Sequence, residues 1–169
     1  MTIKIGDALP AGTLVESIGY DDGKNCPMPP APVDMAALTA GKKVVIFGLP
    51  GAFTPTCSGS HVPGYLKNYD ALKAKGVDTI VCMAVNDGFV MGAWGRSQNV
   101  GDKIRMLGDG SAAFTKALGL ELDLTAKGMG VRCQRFSLLV DNGVVKQVNI
   151  EGVGPANCSF AENMLAQLG

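Results

Sequence analysis

Four consecutive residues, Val44-Val-Ile-Phe47, are all β-branched or aromatic and carry no polar side chain. That composition describes a strand buried on both faces, which commits the chain to layers above and below it. Pro50 and Gly51 stop the strand. Thr54 stands where a helix N-cap is expected, and Pro55 suits the first helical position, where a missing N–H costs nothing. Beyond them Val62, Tyr65, Leu66, Tyr69 and Leu72 recur with helical spacing. Cys57 is therefore expected in the first turn of a helix that begins at the carboxyl end of a central strand. Unpaired N–H groups and the helix dipole favour an anion there, and a thiolate is one. A free cysteine is often no more than a small buried hydrophobe. The neighbours of Cys57, however, are Thr54, Thr56, Ser58 and Ser60, and a reactive role is the preferred reading at this position.

Elsewhere the pattern alternates strands and helices. Thr13 to Tyr20 reads as a strand, Asp21-Asp-Gly23 as a turn, Cys26 to Pro32 as irregular, and Val33 to Leu38 as a short helix. Pro63 is expected to kink the Cys57 helix, and Gly76 to close it. Asp78 to Val85 is a second buried strand, completing a βαβ unit. Asn86-Asp87 caps a helix from Phe89 to Gln98. Ile104 to Leu107 is a short strand, and Ser111 starts a helix ending at Leu118. Residues 119–130 give no clear period. Arg135 to Val140 and Val144 to Ile150 flank Asp141-Asn-Gly143, a strong hairpin signal. Ser159, with Glu162 as its capping-box partner, opens a last helix to Leu168. The order predicts one α/β domain over residues 1–169, a central mixed sheet with helices on both faces.

Composition excludes several classes. Lys+Arg and Asp+Glu both total 15, so no basic field for nucleic acid or anionic membrane is expected. The apolar runs are too short to span a bilayer, and the start lacks a signal-peptide core. The five cysteines (Cys26, Cys57, Cys82, Cys133 and Cys158) are odd in number and contain no CxxC pair. A reducing, cytoplasmic setting is expected from that usage.

Pro50-Gly-Ala-Phe-Thr54-Pro-Thr-Cys57 resembles the active-site motif of the type II (peroxiredoxin-5-like) peroxiredoxins. The likeness continues through His61-Val-Pro-Gly64, Val85-Asn-Asp-Gly-Phe-Val-Met91, Ala93-Trp-Gly95 and Arg135-Phe-Ser137. It implies a thioredoxin-like fold and a thiol peroxidase, with Cys57 as nucleophile and Arg135 as the active-site arginine. On the residues alone Arg135 would be an exposed strand-end cation; Arg132 is the lesser candidate. The resemblance adds to Thr54 a hydroxyl bond with the thiolate or the peroxide, beside its role as a cap. Pro50 offers no donor and would keep water from the sulfur. His61 follows Cys57 by one helical turn, a spacing that suggests a metal or a catalytic pair. No second ligand pair appears, and a buried hydrogen-bonding histidine is preferred. Cys82 reads as core, though a cysteine there resolves the sulfenic acid in some type II relatives. Cys26 and Cys133 have no assigned role, and Trp94, Phe89 and Phe53 read as packing or dimer contacts.

The expected chemistry is reduction of hydrogen peroxide and small organic hydroperoxides, with Cys57 cycling through a sulfenic acid. Cys158, after Gly152, Gly154 and Pro155, is the favoured resolving thiol, ahead of Cys82 or direct attack by glutathione. Glutathione, glutaredoxin or thioredoxin would supply electrons. A homodimer is implied by the resemblance, and no metal, haem, flavin or other cofactor is expected. A disulfide oxidoreductase and a non-enzymatic redox sensor or holdase are the alternatives; the missing CxxC weighs against the first.

Overall fold

Val44 to Phe47 lie within a strand, Lys43–Gly48, whose residues from Val44 onward are buried. The structure is a computed structural model and describes residues 1–152 and 156–169. Along the chain the first elements are β1 (Thr13–Glu16), β2 (Tyr20–Asp21), β3 (Cys26–Pro27), β4 (Ala31–Asp34), α1 (Met35–Thr39) and β5 (Lys43–Gly48). A π-helical turn (Cys57–His61) then leads into α2 (Val62–Lys67), α3 (Tyr69–Ala74), β6 (Thr79–Ala84) and α4 (Gly88–Ser97). The chain continues through β7 (Arg105–Gly108), α5 (Ala113–Leu118), β8 (Glu121–Leu124) and β9 (Gly130–Cys133). It finishes with β10 (Phe136–Asp141), β11 (Val144–Ile150) and α6 (Ala161–Gln167).

Seven strands form one sheet in the order β11-β10-β5-β6-β7-β1-β4. β5, β6 and β7 are parallel neighbours, while β10 and β11 on one side and β1 and β4 on the other run antiparallel. Successive side chains of β5 face opposite ways, as strand geometry requires. Val45 and Phe47 enter an apolar cluster with Tyr65, Leu72, Met91, Trp94 and Met164, so α2, α3, α4 and α6 cover that face. Val44 and Ile46 enter the other, with Met35, Leu38, Phe114 and Leu118 of α1 and α5. The expected mixed sheet with helices on both faces is what the chain forms.

Register matters more than class for the chemistry. β10 opens where β5 ends, with Phe136 opposite Gly48. Arg135, one residue before Phe136, is thereby delivered to the carboxyl end of β5, where the Cys57 turn starts. Gly48 has no side chain because the Phe136 ring occupies the space: a Cβ there would lie 2.1 Å from the ring.

Several local expectations are corrected. The first strand ends at Glu16, because Ser17 turns inward to the Met28 carbonyl and Gly19 lies against the Met28 side chain. Cys26 to Pro32 contributes β3 and part of β4; Pro32 is tolerated because β4 is an edge strand. Val33 belongs to that strand, and α1 starts after it, capped by Asp34, whose carboxylate accepts from the Ala37 N–H at 3.0 Å. The long helix predicted through Leu72 is three pieces. In the π turn the Val62 N–H bonds the Cys57 carbonyl, so Pro63 falls in the first turn of α2, where its missing donor is harmless. Asn68 then divides α2 from α3. α5 starts at Ala113 rather than Ser111, held by the Asp109 carboxylate, which accepts from the Thr115 N–H at 2.7 Å. The hairpin β8–β9 was missed altogether, and the capping box is absent: Ser159 donates to Glu151 instead, while Glu162 accepts from Asn68.

The Gly48–Phe136 contact yields a stability test. Gly48→Ala should cost roughly 1–3 kcal/mol through overpacking, read as a lower urea midpoint with an unchanged slope. Stability equal to the wild type would show that β10 yields at this point.

Candidate active site

Cys57 begins the π turn and its side chain is fully buried. Thr54 has the backbone role of an N-cap, its carbonyl accepting from the Ser58 N–H at 3.0 Å. Its hydroxyl does not turn to the helix. It donates to the Gly51 carbonyl at 2.8 Å, which leaves the oxygen lone pairs open. The Ala52 N–H donates to the Asn86 side chain at 3.0 Å, fixing the loop before the helix. Phe53 in that loop adopts φ +61 and is 58% exposed, a left-handed backbone that costs a bulky residue and that clusters at functional sites. Pro50 is half-buried at the mouth of the same loop.

Arg135 completes the arrangement. Its Nη2 donates to Cys57 Sγ at 3.2 Å and its Nη1 meets His61 Nδ1 at 2.9 Å. Among the described residues it forms no salt bridge, so its charge is left for the sulfur. A guanidinium cannot give up its proton, and so Nδ1 accepts and the imidazole proton resides on Nε2, which donates to the Ser159 carbonyl at 3.2 Å. Burial, opposed by the Ser159 carbonyl and aided by the Arg135 charge, pushes the His61 imidazole down to about 4. His61 is therefore neutral near pH 7, as an acceptor for Arg135 must be. Its ring also packs 4.9 Å from Phe47 and 4.9 Å from Phe160.

The residues singled out in the sequence divide cleanly. Cys57 and Arg135 are brought into contact, with His61 holding the guanidinium. Thr54 and Pro50 belong to the loop before Cys57, the Thr54 hydroxyl bonded to the Gly51 carbonyl rather than to the sulfur. Arg132 is turned toward the loop: its Nε donates to the Met129 carbonyl at 2.7 Å, and its Nη1 is the group a Gly51 side chain would meet. Trp94 donates from its indole N–H to the Ser58 hydroxyl at 3.0 Å, and Phe53 packs beside it.

The other cysteines occupy different settings. Cys82 is buried in β6, and burial, then the nearby Cys57, pushes its thiol well up. Burial likewise pushes the Cys133 thiol up to about 12, while its Sγ lies 3.0 Å from the Leu49 carbonyl. Cys158 is half-buried; partial burial and then the Glu151 carboxylate push it up to about 11. Gly154 and Pro155, named above with Cys158, lie outside the described residues. Sequence reasoning missed Glu151, which no motif marks, and gave Ser159 only the role of a helix cap.

Residues 4–165 match the Redoxin family. Peroxiredoxin-2C of Oryza sativa subsp. japonica is 49% identical over 166 residues, covering 98% of each chain, and Peroxiredoxin-2D of Arabidopsis thaliana is 45% identical at the same coverage. Among solved structures, reduced Prx3 of Vibrio vulnificus in complex with hydrogen peroxide superposes with a TM-score of 0.89 at 47% identity, over 99% of this chain and 100% of that one. Peroxiredoxin 5 of Alvinella pompejana does so with a TM-score of 0.82 at 33% identity, over 98% and 97%. With a buried cysteine at a helix start, an arginine on its sulfur and the thioredoxin-like fold of these relatives, the chain belongs to the Redoxin family, and within it to the peroxiredoxins.

Proposed function

We propose that this chain is a one-domain thiol peroxidase of the type II, peroxiredoxin-5-like kind, reducing hydrogen peroxide and small organic hydroperoxides through Cys57. The observation that carries this reading is the Arg135 Nη2 donor 3.2 Å from Cys57 Sγ, at the start of a helix. The Arg135 cation faces the sulfur, and the attacking form of a cysteine is its thiolate. That thiolate attacks one peroxide oxygen. The S–O bond forms as the O–O bond breaks, the departing oxygen takes a proton and leaves as water or alcohol, and Cys57 becomes a sulfenic acid. Arg135 follows the developing charge onto the departing oxygen. Thr54, its proton committed to Gly51, accepts from a peroxide O–H, and Pro50 keeps a donor-free wall beside it.

The sulfur is closed to solvent, which suits a substrate as small as the end of a hydroperoxide. A second thiol is larger, and it reaches Cys57 only if the π turn opens locally. Cys82 and Cys133 are fully buried in packed strands, whereas Cys158 is half-buried, so Cys158 remains the favoured resolving partner. Its thiol condenses with the sulfenic acid, a disulfide forms and water leaves; glutathione, glutaredoxin or thioredoxin then returns two electrons. The five unpaired thiols fit a reducing, cytoplasmic setting. Phe53 and Phe89, exposed on the loop and on α4, support a homodimer. No cofactor enters the cycle.

Cys57→Ser should abolish peroxide consumption with any reductant while the fold is retained. Arg135→Ala should slow the peroxide step by about 100-fold, the scale for losing one oriented charge donor. A Cys57→Ser protein that still turns over, or only stoichiometric oxidation of the wild type with every reductant, would end the peroxidase reading. One peroxide equivalent followed by non-reducing peptide mapping should reveal a Cys57–Cys158 disulfide; undiminished turnover of Cys158→Ser with glutathione or glutaredoxin would assign resolution to the external thiol. Acid sensitivity follows from His61. Its folded value of about 4 lies below the ordinary 6.5, so the unfolded chain takes the proton first as pH falls. The associated stability is complete above pH 6.5 and is lost through about pH 4. Urea unfolding should weaken across that window, and His61→Asn, which takes no proton, should flatten the slope.

A further inference from the structure

Glu151 lies just past the end of β11, and apart from its contact with the Cys158 thiol its carboxylate has been given no role. Yet one of its oxygens, Oε1, accepts from the Ser159 N–H and the Ser159 hydroxyl, each at 2.7 Å, and from the Asn157 N–H at 2.9 Å. Partial burial pushes this carboxyl up, but the bonds from Ser159 and Asn157 prevail and hold it at about 2. Ser159 itself is fully buried, and its carbonyl receives both the His61 Nε2 proton and the Tyr65 hydroxyl, the latter at 2.9 Å. The turn carrying that carbonyl leads into α6, whose N-cap residue Phe160 makes no side-chain cap bond. Glu151 thus supplies from outside the helix the anchor that a capping side chain would have supplied from within it.

We propose that Glu151 is a positioning residue for Cys57 chemistry: by pinning Ser159 it fixes the His61 imidazole, and the imidazole in turn holds the Arg135 guanidinium on the sulfur. The contacts are continuous, from carboxylate to Ser159 main chain, to imidazole, to guanidinium, to Sγ. The Glu151 N–H also donates to the Arg135 carbonyl at 2.9 Å, so the strand that bears the anchor is paired to the residue it serves. Direct electrostatics would act in the opposite sense. A carboxylate near a thiolate disfavours it, and removing the charge would by itself raise the reactivity of Cys57. The inference rests on the peroxidase reading for its meaning in turnover, but it concerns the reactivity of the sulfur and can be measured without peroxide.

The test is the rate of Cys57 alkylation by iodoacetamide near neutral pH, resolved from the other thiols by peptide mass spectrometry, with thermal denaturation of each variant alongside. Glu151→Ala should slow alkylation roughly three- to tenfold, the range for coupled neighbours. Glu151→Gln keeps an Oε1 acceptor and should recover most of the rate. Glu151→Asp keeps the charge but withdraws the oxygen by one methylene, and should be slow even if Glu151→Ala does not fold. In an Arg135→Ala background the substitution at 151 should cost nothing further. A rate in Glu151→Ala equal to or above the wild type, equal rates in the Ala and Gln variants, or the same loss with and without Arg135 would each overturn the inference. A wild type that shows this coupling but consumes no peroxide would overturn the peroxidase reading alone.

Discussion

A cation held against a sulfur that no solvent reaches is the interaction on which the rest of this molecule depends. A guanidinium near a buried site is stable only if its donors are satisfied and its direction is fixed, since desolvation otherwise outweighs what it gains. Here one nitrogen faces Cys57 and another faces a neutral imidazole. The imidazole serves because burial keeps it uncharged; a protonated ring in the same position would repel Arg135 and lose the lone pair that receives it. The lowered pKa of His61 is thus a condition of the site rather than a by-product of it. The sheet contributes the other half of the aim. Because β10 begins opposite the end of β5, the arginine arrives at the helix start through main-chain pairing, with no flexible loop to search.

Parts of this were readable in the chain. The unbroken apolar run of β5, the Asn-Gly turn between β10 and β11 and the proline-marked helix start each carry a local physical signature. At that turn the structure has Asn142 at φ +48 and Gly143 at φ +75, the backbone such a turn needs. What was not readable is long-range. Cys57 and Arg135 are 78 residues apart, and His61 and Ser159 98. Only the family resemblance proposed the first pair, and nothing proposed the second. Ser159 shows why a local rule fails. Its spacing from Glu162 satisfies a capping box, but Glu151 competes for the same hydroxyl and wins with further bonds from the same turn. β8 and β9 went unseen because all their residues but Cys133 are exposed or half-buried on a ribbon outside the main sheet, so neither strand shows a strong apolar pattern.

The remaining thiols show how one side chain is kept inert by different means. Cys82 and Cys133 are sealed by apolar packing, whereas Cys158 is half-open and restrained by partial burial and then by a neighbouring negative charge. Packing is relieved only by unfolding, but a charge contact is relieved by a small movement of one segment. The two kinds of restraint therefore differ in how readily they can be released within a catalytic cycle.

The bond from the Trp94 indole to the Ser58 hydroxyl has a consequence in optics. Trp94 is the only tryptophan of the chain, and its partner is the residue next to Cys57. Ultraviolet emission from the whole protein therefore comes chiefly from a ring tethered to the turn that carries Cys57. The molecule carries an unengineered fluorophore beside Cys57, and a spectrometer can report a change in that turn without a label.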